Sequence, residues 1–274
     1  MMDIAIYFLY FLFVFILGVC IGSFLNVVIY RVPNGLDFVH GRSFCPKCGH
    51  KLAARDLVPI FSFVVLGGKC RYCKEKISFR YPLIEALCGC LFLWCVWEFD
   101  FTLSALAACI TAAILLAVAM IDWDTMTIPD GLIIALAAPC LLSLFTPGPD
   151  IWSRIIGTFA VSVPLLLMAL LISGSFGWGD VMLMGVCGFL LGWQRILLAF
   201  FIGVVLGGLA GIFILLKKKD AAPADNGGQE KTAQEEEEEK HPHMPFGPYL
   251  AVGVFISMLY GERLISWYLS LLGF

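Results

Sequence analysis

Carboxylates stand at two points where long apolar stretches of this sequence end. Asp122 and Asp124 close one stretch, and Asp180 closes another. An ionisable group at membrane depth is energetically costly and is usually kept for function. The simpler alternatives are a helix cap, for an aspartate at a helix start, and a solvated boundary residue, for an aspartate at a helix end. Two such loops on one side of a membrane would favour a paired carboxylate site.

Four of the eleven cysteines form two C-x-x-C pairs, Cys45 with Cys48 and Cys70 with Cys73, with 21 residues between the pairs. Each pair can present two thiolates to one metal, and four sulfurs in a tetrahedron make a structural zinc site. Disulfides or redox-active cysteines are the alternative, which a reducing cytoplasm disfavours. The remaining seven are most simply small buried hydrophobic residues within apolar stretches: Cys20, Cys88, Cys90, Cys95, Cys109, Cys140 and Cys187.

The composition requires a membrane environment for these residues. Of 274 residues, 60% are apolar and 14% are charged, and the mean hydropathy is +0.91, far from the usage of soluble domains. The sequence predicts an all-α polytopic integral membrane protein with about eight transmembrane helices and a small cytoplasmic zinc-knuckle insertion. We expect the lipid bilayer as a partner. No nucleic acid partner is expected, because the net charge is -3 and the basic residues are confined to short stretches.

Intervals without Asp, Glu, Lys or Arg define the predicted spans, because roughly 20 apolar residues cross a hydrocarbon core. Six intervals are clear: 4–29, 101–121, 131–149, 155–179, 196–216 and 241–261. Two further spans are weaker. The interval 82–97 contains Glu85, and 181–194 has only 14 residues, so its helix is expected to begin in a polar region lined by protein.

The distribution of the 18 lysines and arginines predicts the orientation, because basic residues in short loops stay on the cytoplasmic side. Ten lie in 31–80 and five in 217–240; the other three are Arg154, Arg195 and Arg263. Eight spans with the N-terminus outside put both basic stretches in the cytoplasm, whereas seven spans would put one on the wrong side. The same parity predicts that Asp122 and Asp180 lie together at the cytoplasmic face.

Six short motifs occur in a characteristic order along the chain. They are GSFLNVVIYRVP from Gly22, the four paired cysteines, RYPLIE from Arg80, Asp122 followed by Ile128-Pro129-Asp130, GWGD from Gly177, and PFGPY from Pro245. With this ordered set, the chain resembles the type IV prepilin leader peptidases, which trim pilin-like substrates and often also N-methylate them. The resemblance covers nearly the whole chain.

The resemblance implies an intramembrane aspartyl endopeptidase with Asp122 and Asp180 as its catalytic pair. Two carboxylic acids held close cannot both ionise, so the pair would hold a single proton. One group would accept a proton from the attacking water, and the other would hydrogen-bond to the scissile carbonyl. Asp124 is the alternative to Asp122. One departure stands out, because relatives usually carry Lys two residues after the second aspartate, where this chain has Met182.

The resemblance also implies a bacterial cytoplasmic membrane location, prepilin or pseudopilin substrates, and S-adenosylmethionine as methyl donor if the protein is bifunctional. The sequence has no glycine-rich nucleotide loop that would assign contacts to that donor. Two other interpretations stay open. One is a peptidase without methylation, and the other is a zinc-stabilised transporter or scaffold in which Asp122 and Asp180 relay protons or cations. Transport would predict paired internal repeats, and none is evident.

The chain is therefore expected to divide into five segments. A polar stretch with five consecutive glutamates and no apolar periodicity is expected to be disordered. In order, the segments are a first transmembrane anchor (1–30), a cytoplasmic tetracysteine zinc-binding loop (31–80), a transmembrane peptidase core (81–216), a disordered charged cytoplasmic linker (217–244) and a last transmembrane helix (245–274).

Overall fold

A computed structural model of the chain describes residues 2–172, 177–220 and 245–273. Within these ranges the chain is helical, and the only strand-like features are two isolated bridges, Phe44 with Lys51 and Lys69 with Lys76. A short 3-10 helix covers Ala54–Asp56. The α-helices are α1 (Met2–Arg31), α2 (Phe61–Val65), α3 (Arg80–Phe99), α4 (Leu103–Thr125), α5 (Asp130–Ala135), α6 (Ala137–Ser143), α7 (Ile151–Ala160), α8 (Ser162–Leu171), α9 (Trp178–Leu191), α10 (Trp193–Asp220) and α11 (Gly247–Leu271).

Six helical stretches among the described residues are long and apolar enough to cross a membrane. They comprise most of α1, then α3, α4, α7 with α8, most of α10, and α11. Two shorter apolar stretches are α5 with α6, and α9. This architecture is consistent with the expected all-α polytopic membrane protein. Helix α10 ends at Asp220, inside the expected linker, and the rest of that linker, 221–244, lies outside the described residues.

Helix α4 forms the centre of the bundle, where it packs against α1, α3, α6 and α11. Much of its buried surface is alanine, which lets neighbouring helices approach closely: Ala105, Ala107, Ala108, Ala112, Ala113 and Ala117. Glycines do the same between α1 and α3, since a Cβ on Gly18 would lie 2.8 Å from the Cα of Gly89. Close backbone packing thereby fixes the positions of both ends of α4.

One end of the bundle carries a buried arginine, and we call it the arginine end. Arg154, in the first turn of α7, is 3% exposed. Its guanidinium donates to the carbonyls of Pro149 (3.0 Å), Ser143 (2.9 Å) and Phe189 (3.2 Å), to the Ser143 hydroxyl (2.8 Å) and to the Leu190 carbonyl (3.4 Å). Because all these acceptors except Pro149 lie at the ends of α6 and α9, Arg154 joins three helices at this point.

The other two arginines outside the basic stretches, Arg195 and Arg263, have acidic partners. Arg195 pairs with Glu262, and Arg263 lies 2.6 Å from Glu98. Each pair joins α11 to another helix, α10 in the first case and α3 in the second. All three arginines that lie outside the two basic stretches therefore make hydrogen bonds or ion pairs between different helices.

Candidate active site and metal centre

Asp122 lies in the last turn of α4 and is 5% exposed. Its Oδ2 accepts a hydrogen bond of 2.8 Å from the backbone N–H of Gly247. Gly247 is the first residue of α11, so its amide belongs to the positive end of that helix. Helix α4 ends at Thr125, and the next residue, Met126, adopts a left-handed conformation (φ 52°) and turns the chain toward α5. The carboxylate is therefore held between the end of α4 and the start of α11.

Only glycine fits at position 247 in this arrangement. A Cβ on Gly247 would lie 2.7 Å from Oδ2 and 2.9 Å from Cγ of Asp122, closer than such atoms can approach. The PFGPY motif stands out in the sequence, but no role for Gly247 could be predicted from it. The available signal was a glycine between Phe246 and Pro248 at a helix start, because a residue without a side chain lets a neighbouring element approach the backbone closely.

Asp180 is the third residue of α9 and is 8% exposed. Its Oδ2 lies 3.4 Å from the backbone N–H of Gly177, a long contact. Its Oδ1 is buried and has no hydrogen-bond partner among the described residues. The residue before Asp180, Gly179, packs against Ile128, which follows Asp122 by six residues. The structure thus brings the two predicted aspartates to the same end of the bundle, which we call the aspartate end.

The glycine before Asp180 brings a third segment to this end. A Cβ on Gly179 would lie 2.7 Å from the Cβ of Ile128, so the start of α9 packs directly on the segment that leads into α5. The two residues that follow Ile128 are Pro129, which precedes the helix, and Asp130, which is exposed in its first turn. Asp130 is therefore not part of the buried pair.

Asp124, the alternative to Asp122, has a different environment. Its carboxylate makes a two-pronged ion pair with Arg80, with N–O distances of 2.6 and 2.8 Å, and its side chain is 36% exposed. The same guanidinium donates to the carbonyl of Met120 at 3.3 Å. Because Arg80 opens α3, these bonds tie the residue that follows the cysteine loop to the turn of α4 that contains Asp122.

The four paired cysteines also come together. Their sulfur atoms all lie within 4.8 Å of one another, and those of Cys45 and Cys73 are 3.9 Å apart. A zinc ion with Zn–S bonds of about 2.3 Å would need sulfurs about 3.8 Å apart at the corners of a tetrahedron. Cys45 and Cys70 are buried, whereas Cys48 and Cys73 are exposed. The spacing and the donor chemistry fit a tetrahedral zinc.

The thiols of this cluster influence one another. A hydrogen bond from the backbone N–H of Cys48 is the main reason that the pKa of Cys45 falls to about 7. The backbone N–H of Glu75 lowers the pKa of Cys73, but partial desolvation and the other three thiols outweigh it and raise that pKa to about 11. Thiols crowded in this way are an arrangement that a divalent metal stabilises, because it binds the deprotonated form.

Comparison with known proteins identifies the family. Residues 16–99 match the model of the bacterial peptidase A24 N-terminal domain, and residues 109–212 match that of the type IV leader peptidase family. The prepilin leader peptidase/N-methyltransferase of Bacillus subtilis is 32% identical over 261 residues, which cover 94% of this chain and 97% of that protein. The protein of the same name from Pseudomonas putida is 31% identical over 287 residues, with 94% and 93% covered.

The chain belongs to the type IV leader peptidase family. It is accordingly a peptidase. No solved structure gave a significant match. The leader peptidase match begins within α4 and ends within α10, so it contains both Asp122 and Asp180, whereas the N-terminal domain match contains all four paired cysteines.

In this leader peptidase, polar residues of the GSFLNVVIYRVP and RYPLIE motifs connect the cysteine loop to the bundle. Arg31 is 5% exposed and donates to the carbonyls of Asp37 (2.8 Å) and Arg42 (2.9 Å). Glu85, on α3, accepts a 2.7 Å hydrogen bond from the backbone N–H of Ile60. Ile60 has φ 59°, a strained conformation for a β-branched residue, so this contact holds the loop in an unusual shape. No structural role for Arg31 or Glu85 was predicted from the sequence.

Proposed function

We propose that the chain is an intramembrane aspartyl endopeptidase that removes the leader from type IV prepilins or pseudopilins, with Asp122 and Asp180 as the catalytic pair. The observation that carries the proposal is that α4 and α9 each bring a buried carboxylate to the same end of the bundle. The name shared by the relatives, prepilin leader peptidase/N-methyltransferase, supports the choice of substrate. The exposure and the ion pair of Asp124 favour Asp122 as the partner of Asp180.

The chemistry follows from a carboxylate pair that shares one proton. The ionised carboxylate takes a proton from water, and the water oxygen bonds to the scissile carbonyl carbon while the other, protonated group hydrogen-bonds to the carbonyl oxygen. The tetrahedral intermediate collapses when the carboxyl group that took the proton from water gives it to the amide nitrogen and the C–N bond breaks, which restores the starting protonation of the pair. The amide of Gly247 fixes the orientation of Asp122, and the Oδ1 of Asp180, which has no hydrogen-bond partner among the described residues, can bind water or substrate.

We also propose eight membrane crossings, with the N-terminus outside and the aspartate end at the cytoplasmic face. The two shorter apolar stretches support this count, because each reaches both ends of the bundle. Helix α9 has 14 residues, about 21 Å, with Asp180 in its first turn and the Arg154 contact in its last. The segment that holds α5 and α6 runs from the Gly179 contact of Ile128 to the Arg154 contact of Ser143. The basic residues of 31–80 support the cytoplasmic assignment of the aspartate end.

Zinc held by Cys45, Cys48, Cys70 and Cys73 would fold the loop of residues 31–80. Four sulfur ligands leave no open position, so the metal would have no part in hydrolysis. The five segments predicted from the sequence remain our proposed domain organisation. N-methylation of the new N-terminus from S-adenosylmethionine is proposed from the relatives' names alone, and we assign no residues to it.

Co-expression with candidate prepilins, followed by mass measurement of the products, tests the proposed function. The proposal predicts a mature pilin without its leader, and bifunctionality predicts an added methyl group on its N-terminus. A mature but unmethylated product would show a peptidase without methyltransferase activity. Uncleaved prepilin, in the presence of correctly inserted protein, would contradict the proposal.

A further inference from the structure

The short helix α2, in the cysteine loop, exposes an apolar face. Phe61, Val64 and Val65 are 65%, 68% and 61% exposed. Their positions i, i+3 and i+4 put them on one side of the helix. Leu57 and Val58, just before the helix, are also exposed. A loop in water gains nothing from such a surface, and contiguous exposed apolar patches mark sites of interaction.

The depth of α2 follows from its contact with α3. The residue before α2, Ile60, donates its backbone N–H to Glu85 at 2.7 Å. Glu85 lies five residues after the start of α3, a displacement of about 7.5 Å along that helix. Because α3 is long and apolar enough to span the membrane, this contact puts the start of α2 beside the first turns of the span, at the level of the membrane boundary.

Helix α2 lies beside a lipid-facing stripe of α3, which it contacts through Phe63 on the side opposite its apolar face. The ring of Phe63 contacts the ring of Phe79 edge-on, with centroids 6.1 Å apart. Phe79 precedes α3 and is 67% exposed, and Leu83 and Leu87 follow at intervals of four residues with 52% and 43% exposed. Side chains at this interval share one face of a helix. A spanning helix turns such a stripe toward acyl chains, so α2 lies beside a surface that already faces lipid.

The charges around α2 fit the same environment. Residues 31–80 contain ten lysines and arginines but only three acidic residues, Asp37, Asp56 and Glu75. Basic residues beside an apolar face are typical of helices that lie in the interface of a membrane with anionic lipids.

We propose that α2 is an interfacial helix, with Phe61, Val64 and Val65 inserted among the acyl chains of the leaflet at the aspartate end. The tetracysteine loop then lies against the membrane instead of projecting from it. The contact with Glu85 sets the depth of the helix, and the surrounding basic residues meet the lipid headgroups. This arrangement does not depend on the peptidase reaction.

Photo-crosslinking to lipid tests the proposal directly. The full-length chain would carry p-benzoylphenylalanine in place of Phe61, in vesicles of phosphatidylglycerol and phosphatidylethanolamine. The matched control has the same residue in place of Tyr72, which is 40% exposed but bonds to Asp56 and stacks on His50 within the cysteine cluster. We expect acyl-chain adducts at Phe61 in about tenfold higher yield than at Tyr72, because an interfacial helix reaches the acyl boundary.

A second position keeps the test decisive if the change at Phe61 impairs folding. The same substitution at Val64 should give the same adducts. The protein can also carry Asp180→Asn, which separates the result from any failure of the proposed catalysis. Equal adduct yields at Phe61 and Tyr72, no lipid adduct at Phe61 or Val64, or adducts mainly to an added prepilin would each overturn the proposal.

Discussion

The two ends of the helix bundle differ in how completely their buried charged groups are hydrogen-bonded. At the arginine end, Arg154 donates to acceptors on four residues, and the cation is satisfied by the protein itself. At the aspartate end, Asp122 has one short hydrogen bond, and Asp180 has a long contact and a buried oxygen without a partner among the described residues. Buried polar atoms are normally hydrogen-bonded. The difference separates a charge that holds helices together from a pair that retains capacity for water and substrate.

The largest expected effect on stability follows from the replacement of Arg154. Arg154→Leu would leave carbonyls at the ends of α6 and α9 without a donor, which should cost about 3 kcal/mol in the free energy of unfolding. Thermal unfolding in detergent measures this loss. Arg263→Leu is the comparison: Arg263 is 70% exposed and its partner Glu98 only 10% exposed, so stability should fall, but by less than in Arg154→Leu. Equal stability of Arg154→Leu and the wild type would refute the structural role of the arginine end.

A substitution at the aspartate end should instead affect activity. Gly247→Ala would force the Asp122 carboxylate out of position, because a Cβ would lie 2.7 Å from its Oδ2. We expect leader cleavage to fall by about a hundredfold with the fold retained. Gly208→Ala, on α10, is the matched control, since nothing lies within 4 Å of its Cβ. Normal cleavage by Gly247→Ala would show that the close approach of α11 does not position Asp122.

The ion pair beside Asp122 should have an intermediate effect. Arg80→Ala removes the bonds to Asp124 and to the carbonyl of Met120, and cleavage should fall by about tenfold as the last turn of α4 loosens. Arg80→Lys should restore part of the activity. The double variant Arg80→Ala with Asp124→Asn should be no worse than Arg80→Ala alone, since the two residues act as a pair. Additive losses would mean that the residues act independently.

A small effect on cleavage is expected at the metal site. Cys45→Ser with Cys70→Ser should abolish bound zinc and make the loop sensitive to protease, while cleavage falls by only about threefold, because the metal folds the loop and takes no part in hydrolysis. Elemental analysis and cleavage would be measured on the same preparation. Cys90→Ser, at an exposed position on α3, should keep its zinc. A metal-free wild type would refute the zinc site, and a folded, zinc-free variant without any cleavage would refute a purely structural metal.

The sequence predicted the residues whose chemistry is unusual for their surroundings. Asp122 and Asp180 stand out because ionisable groups are rare beside apolar spans, and the four cysteines stand out because of their spacing. The sequence could not predict the contact between Asp122 and Gly247, which are 125 positions apart. That contact depends on how α4 and α11 pack, and a glycine without a side chain leaves little local pattern.

The boundaries of the helices were predicted less well than their existence, because the boundaries also depend on contacts between distant residues. Counting uncharged intervals began the fifth span at residue 155, but α7 begins at Ile151 and includes Arg154. An arginine normally marks the edge of a span. The carbonyls that accept hydrogen bonds from Arg154 allow α7 to include this residue. The interval 131–149 was expected to be one span, whereas the structure divides its helical part between α5 and α6 and ends α6 at Ser143.

The most direct test of the account compares the three aspartates near the end of α4 and the start of α9. Purified Asp122→Asn, Asp180→Asn and Asp124→Asn variants would be incubated with a peptide that carries a basic leader and a hydrophobic helix. We expect cleavage by Asp122→Asn and by Asp180→Asn to fall by about a thousandfold, because an amide cannot accept or share the proton. Asp124→Asn should stay within about threefold of the wild type, because an exposed ion pair contributes little. Near-normal cleavage by Asp122→Asn or Asp180→Asn would contradict the proposed catalytic pair, and an inactive Asp124→Asn beside an active Asp122→Asn would assign the first catalytic residue to Asp124.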